Sequence, residues 1–165
     1  MLRRVNSGHL IWQAPNGSAG TLSPELIKFL SKWKQTRFWS KEAGGLLLGF
    51  VDQETDGLLI ESATKPGSGD CRGRTSFYRG SRHQKDAEEW NRTTGGRGTQ
   101  LGLWHTHPEP TPQPSPTDLE DCRKVLETGS FAVGGLLYII VGTKNIGCWF
   151  AKYKEPLILL GYFEP

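Results

Sequence analysis

Cysteine is scarce in this chain, and its placement argues against pairing. Cys71, Cys122 and Cys148 are an odd number, widely spaced, with no Cys-x-x-Cys element. They read as reduced thiols, which excludes a disulfide framework and points to a reducing, cytoplasmic compartment. Long apolar runs are also missing. The longest, Phe131 to Val141, is broken by Gly134-Gly135 and falls well short of the ~20 residues that cross a bilayer, so no membrane span is expected. The start, Met1-Leu2-Arg3-Arg4, has charge without the apolar stretch of a secretory signal, and export is not expected. Charge of one sign is lacking too. A net charge of +3 permits an acidic partner but is far from the dense basic stripe of a dedicated nucleic-acid binder. What remains is a globular composition: 165 residues, 36% of them hydrophobic, with six Trp, fit one domain with a real core.

The most informative stretch is Trp104-His105-Thr106-His107-Pro108, followed at fixed distance by Ser115 and Asp118. Leu101, Leu103 and the apolar context suggest a strand, which places His105 and His107 on one face with both imidazoles in reach of one ion. Asp118 is the candidate third ligand. Two His and one carboxylate leave a fourth position open for water, the arrangement of a catalytic zinc site, whereas a structural zinc is closed by four protein ligands. A plainer reading exists for part of this. Ser115-Pro116-Thr117-Asp118 is also a helix start, with Ser115 at the N-cap, Pro116 at the first helical position and Asp118 in the first turn. That reading accounts for Ser115 and Asp118 but not for two alternating histidines upstream, and the two readings are compatible.

His-x-His-Pro, the seven residues from Pro108 to Pro114, and then Ser-x-x-Asp together resemble the JAMM/MPN zinc isopeptidases. That family's pattern also has a glutamate well upstream, before a small-residue and leucine-rich strand. Glu42-Ala43-Gly44-Gly45-Leu46-Leu47-Leu48-Gly49 matches it, so the resemblance spans Glu42 to Asp118. It implies a JAMM, cytidine-deaminase-like fold over residues 1–165 and one Zn2+ per chain on His105, His107 and Asp118. It further implies that Glu42 is a general base and acid rather than a ligand, and that the Ser115 hydroxyl stabilises the tetrahedral oxyanion. For Glu42 taken alone, a solvated position at the start of a strand is the better guess; the motif downstream reverses it.

The implied substrate is the amide bond at the end of a ubiquitin-like protein's extended, glycine-containing tail. Within the family the chain is most similar to deconjugating peptidases encoded with anti-phage CBASS operons, which act on a nucleotidyltransferase conjugated through its C terminus. The alternatives are a JAMM peptidase that processes sulfur-carrier proteins and a non-catalytic MPN module that binds a ubiquitin-like partner. Thr106 and Glu109-Pro110 depart from the His-Asn-His-Pro-Ser-Gly pattern of the RadC branch. Zinc deaminases are disfavoured because their His-x-Glu and Pro-Cys-x-x-Cys elements are absent.

The rest of the chain supplies a scaffold. Leu10-Ile11-Trp12 reads as a strand, and Ser23-Pro24-Glu25 starts a helix whose apolar face is Leu26, Ile27, Leu30 and Trp33. Leu46–Val51 reads as a strand buried on both faces, and Asp56-Gly57 as a hairpin turn into Leu58–Glu61. Gly44 and Gly45 suit either a close approach or a bulge. Lys65 to Arg82 reads as a long loop, and Arg72, Arg74, Arg79 and Arg82 on it are either solvated or a partner-binding patch. His83 reads as a surface residue. A helix around Ala87 and Trp90 ends near Gly95-Gly96. Alternate prolines from Pro108 to Pro116 stiffen the loop between the ligands. The helix after Asp118 is expected to turn Leu119, Cys122, Val125 and Leu126 inward and stop at Gly129. Phe131–Val141, Cys148–Tyr153 and Leu157–Phe163 read as strands. Strands interleaved with helices make an α/β domain with a mixed sheet flanked by helices.

Overall fold

A computed structural model describes all residues, Met1–Pro165. In chain order the elements are β1 (Leu2–Arg4), β2 (Leu10–Gln13), β3 (Ala19–Leu22), α1 (Pro24–Ser31), β4 (Gly44–Val51), β5 (Leu58–Ala63), β6 (Cys71–Arg72) and β7 (Phe77–Tyr78). They continue with α2 (Arg82–Thr93), β8 (Thr99–Thr106), α3 (Pro116–Thr128), β9 (Gly135–Val141), β10 (Ile146–Lys152) and β11 (Ile158–Phe163). Nine strands form one mixed sheet in the order β1-β2-β3-β5-β4-β8-β9-β10-β11, and β6 with β7 makes a small separate hairpin. The pairs β3–β5 and β8–β9 are parallel and the rest antiparallel. The fold class expected from the sequence is the one observed. No helix is long and apolar enough to cross a membrane.

Alternation along the central strands divides the core between the two sheet faces. Leu47 and Trp104 join Trp12, Leu26, Leu30 and Phe150 on the face covered by α1. Leu46, Leu48 and Leu103 join Ala87 of α2, Cys122 of α3 and Trp149 on the other. β9, most of β4 and the middle of β8 are thus apolar because both their faces are covered. The alternation is interrupted once where it matters. The β4–β8 register shifts between Leu47 and Leu48, pairing Leu47 with Gly102 but Leu48 with Gln100. Leu101 is the extra residue of this bulge and belongs to the α1-side core, while Leu103 belongs to the opposite one. A bulge re-aims the side chains beyond it. Gly102 is required there, since a Cβ on it would lie 2.0 Å from the Leu137 carbonyl oxygen.

Helix starts follow the expected chemistry. Ser23 Oγ accepts from Leu26 N at 3.1 Å with Pro24 at the first helical position, and Ser115 opens α3 with a reciprocal capping box to Asp118. Several local expectations need correction. Leu119 of α3 faces solvent instead of the core, as the helix turns Cys122 inward. β9 begins at Gly135, after a turn in which Gly134 N bonds the Phe131 carbonyl, so Phe131 precedes the strand. The stretch from Lys65 to Arg82 contains the β6–β7 hairpin, and β1 and β3 are short strands that carry no strong pattern of their own.

Candidate active site

The site is assembled where the C-terminal end of β8 lies beside the N-terminal start of β4. Gly44 pairs with His105, so the residues just before β4 lie beside the histidines. His105 is near the end of β8, and His107 lies one residue beyond it, held by its N–H to the Val141 carbonyl at 3.0 Å. Thr106, between them, points the other way. Its N–H donates to the Ala43 carbonyl and its Oγ1 accepts from Ala43 N, both at 2.9 Å. Thr106 Oγ1 also donates to Gln35 Oε1 at 2.8 Å. The residue adjoining Glu42 is therefore locked to the residue between the histidines.

Three side chains converge. His105 Nε2 and His107 Nε2 are 2.9 Å apart, and they lie 3.1 Å from Asp118 Oδ1 and Oδ2 respectively. A tetrahedral zinc with bonds of about 2.0–2.1 Å keeps its ligands roughly 3.3 Å apart, so this cluster is compatible with a metal site. The donor chemistry fits as well. His107 Nδ1 donates to Glu109 Oε1 at 2.9 Å, which leaves Nε2 as the nitrogen that faces the cluster. Two imidazole nitrogens and a carboxylate aimed at one another are a set that a cation satisfies in place of the protons they otherwise share. Asp118 is oriented by its backbone: its Oδ2 accepts from Ser115 N at 2.7 Å, while Ser115 Oγ accepts from Asp118 N at 3.2 Å. The capping reading and the ligand reading of Ser115 and Asp118 describe the same geometry.

The electrostatics are those of a half-dry cleft. Burial lifts the Glu42 carboxyl to about 7, with Asp118 adding to the effect and His107 opposing it. Burial would lower His107, but Asp118 and Glu109 outweigh it and hold the imidazole at about 9. Burial would raise Asp118, but hydrogen bonds from His105 and His107 keep it far below the usual carboxylate range. His105 is pushed down by its complete burial. Glu42, His105, His107, Ser115 and Asp118 all line one cavity of about 590 Å³, which Phe77 and Tyr78 of the β6–β7 hairpin help to wall. Glu42 lies outside the three-residue cluster that could hold an ion.

A model of the family described as prokaryotic homologs of the JAB domain matches residues 28–152. The chain belongs to that family. The JAB, or JAMM/MPN, resemblance carried by Glu42 to Asp118 is thereby borne out. Two curated relatives are both named CD-NTase/cGAS isopeptidase. The one from Escherichia coli (strain TW11681) is 35% identical over 90% of each chain. The one from Vibrio cholerae serotype O1 (El Tor Inaba N16961) is 33% identical over 81% of each. The solution structure of a Desulfitobacterium hafniense protein shares the fold at a TM-score of 0.60, with 23% identity over 84% of this chain and 87% of that one.

Two polar residues of this JAB domain escape a sequence reading. Glu109, two residues after His107, fixes that ring, and a carboxylate at this spacing was the available signal. His83, expected on the surface, is buried. Both its nitrogens are satisfied, Nδ1 by Thr64 Oγ1 at 2.6 Å and Nε2 by the Asp70 carboxylate at 3.0 Å, which removes the cost of burying it. Asp70 also accepts from Gly67 N and Gly80 N, so this network closes the loop that carries the β6–β7 hairpin. The His83 and Phe77 rings in turn meet nearly perpendicular, with centroids 6.2 Å apart. The loop arginines divide: Arg79 pairs with Asp121 and Arg82 with Asp86, whereas Arg72 and Arg74 bond main-chain carbonyls.

Proposed function

We propose that this JAB domain is a zinc-dependent isopeptidase that hydrolyses the amide bond after the C-terminal tail of a ubiquitin-like protein, or of a CD-NTase conjugated through such a tail. The observation that carries the proposal is the meeting of Glu42 with the His105, His107 and Asp118 cluster in one cavity, from segments far apart in the chain. The name shared by the E. coli and V. cholerae relatives supports the CD-NTase conjugate as substrate.

His105, His107 and Asp118 would hold the metal, and a zinc ion there supplies Lewis acidity that polarises a carbonyl and acidifies water near neutral pH. The chain's own residues do the rest. Glu42, poised near 7 by burial, takes a proton from the attacking water and hands it to the departing amine. Glu109 keeps His107 in the tautomer whose Nε2 faces the metal. The Ser115 hydroxyl, whose oxygen accepts from Asp118 N, still has a proton to donate towards the oxyanion. No covalent intermediate with the protein is needed. The decisive experiment is cleavage of a CD-NTase fused at its C terminus to a reporter, with zinc content measured on the same protein. Cleavage by the wild type, abolished in His105→Ala together with zinc, is expected. Cleavage that persists without zinc overturns the proposal.

A further inference from the structure

The segment joining α1 to β4 is unlike the rest of the surface. From residue 32 to 41 it carries Lys32, Lys34, Arg37 and Lys41 and no carboxylate. Gln35, buried, ties it to the hairpin: its Nε2 donates to the carbonyls of Ser40 at 3.1 Å and Arg74 at 2.9 Å. Arg74 donates back to the Phe38 carbonyl, and Arg72 Nε to the Glu42 carbonyl at 2.6 Å. None of these six cations forms an ion pair with a carboxylate; eight of the fourteen elsewhere are also unpaired, and what distinguishes these six is that they gather on one segment and the hairpin bonded to it. The chain has 20 Lys and Arg against 17 Asp and Glu, so without this patch its balance would be negative.

The same segment exposes the two most accessible aromatic side chains of the molecule, Phe38 at 80% and Trp39 at 73%. The guanidinium of Arg74 lies 4.6 Å from the Phe38 ring centre and that of Arg37 lies 5.7 Å from that of Trp39. Exposed Trp with flanking Arg is the composition of a binding hot spot, and the main-chain bonds hold it in place before any partner arrives. Its far end is Glu42, in the wall of the catalytic cavity.

We propose that this basic, aromatic loop docks an acidic face of the folded protein whose tail enters the cavity, an inference that rests on the isopeptidase reading. Uncompensated positive charge selects a carboxylate-rich surface and speeds encounter with it, while Trp39 and Phe38 supply the apolar centre. A protein fits better than a nucleic acid. The chain's net charge of +3 falls far short of the dense basic surface of a nucleic-acid binder.

The test uses two substrates: a CD-NTase, from the genome that encodes this chain, fused at its C terminus to a reporter, and a short fluorogenic peptide bearing only that tail. Trp39→Ala and Arg37→Glu are expected to raise KM for the fusion about tenfold or more and to leave peptide cleavage unchanged. Raising salt from about 0.05 to 0.5 M weakens wild-type action on the fusion more than that of Arg37→Glu, as screening requires. Equal effects on both substrates, or none, overturn the docking surface. Interferometry with Glu42→Gln protein and the same fusion separates the two claims. Patch-dependent binding without wild-type cleavage sinks the isopeptidase reading and keeps the surface; cleavage with patch-independent binding does the reverse. Patch-dependent capture of a labelled single-stranded oligonucleotide, with no binding of the fusion, overturns the acidic-protein partner in favour of nucleic acid.

Discussion

Thr106 Oγ1 accepts a hydrogen bond from Ala43 N at 2.9 Å across 63 residues of sequence, which fixes Glu42 beside the two histidines. Thr106→Val removes that acceptor and strands Gln35 Oε1 in a buried place. It should cost about 1–3 kcal/mol in a denaturant melt and lower turnover with zinc retained. Wild-type stability and turnover together would show that this tie does not position Glu42.

Glu42→Gln keeps the size of the side chain and removes proton transfer. On the proposed mechanism turnover falls roughly 10²–10⁴-fold, with zinc content and affinity for the fusion preserved. Near-normal cleavage would sink the mechanism, and lost zinc would make Glu42 a metal-holding residue instead.

Metal affinity should depend on pH in a stated direction. His107 is held at about 9, above its ordinary 6.5, so below pH 9 a proton must leave before the ring can ligate. Apparent zinc affinity therefore rises by up to tenfold per pH unit between pH 6.5 and 9 and levels off above. In metal-free protein the same shift stabilises the fold fully below pH 6.5 and is lost as pH rises through 9. Zinc titrations at constant ionic strength check the first, melts with chelator the second. A flat affinity from pH 6.5 to 9 would mean that zinc binding displaces no proton from His107.

Ser115 has a capping role and a proposed chemical one, and Ser115→Gly separates them. Glycine is a tolerable N-cap, so stability falls by only a few tenths of a kcal/mol, whereas loss of the hydroxyl donor lowers kcat about 10²-fold or more. A near-normal kcat in this variant would leave Ser115 with the cap alone.

The elements most legible in the sequence were those whose cause is local. Ser23-Pro24 and Ser115-Pro116 announce their helices because capping chemistry sits in consecutive residues, and the His-x-His spacing is a property of one strand. What escaped depends on partners distant in sequence. His83 is buried because Thr64 and Asp70 receive it, and a single residue cannot advertise that. The bulge at Leu101 arises from pairing with β4, so the strand looked regular when read alone. Leu119 looked inward-facing by apolarity, but only the packing of α3 decides which of its apolar residues the sheet covers. β1 and β3, at three and four residues, are too short to show a period and exist because the sheet edge extends through them.

The hold of Val141 on His107 has a consequence for the nascent chain. His107 N reaches the Val141 carbonyl, and β8 finds its parallel neighbour only once β9 exists. A ribosome-bound chain that has emerged only as far as Asp118 already contains Glu42, both histidines and Ser115, yet lacks the strand that seats the second histidine. The assembled site thus arrives only near the end of translation, with β9, and a truncated product that ends before Gly135 carries every residue of the candidate site without the strand that brings them into register.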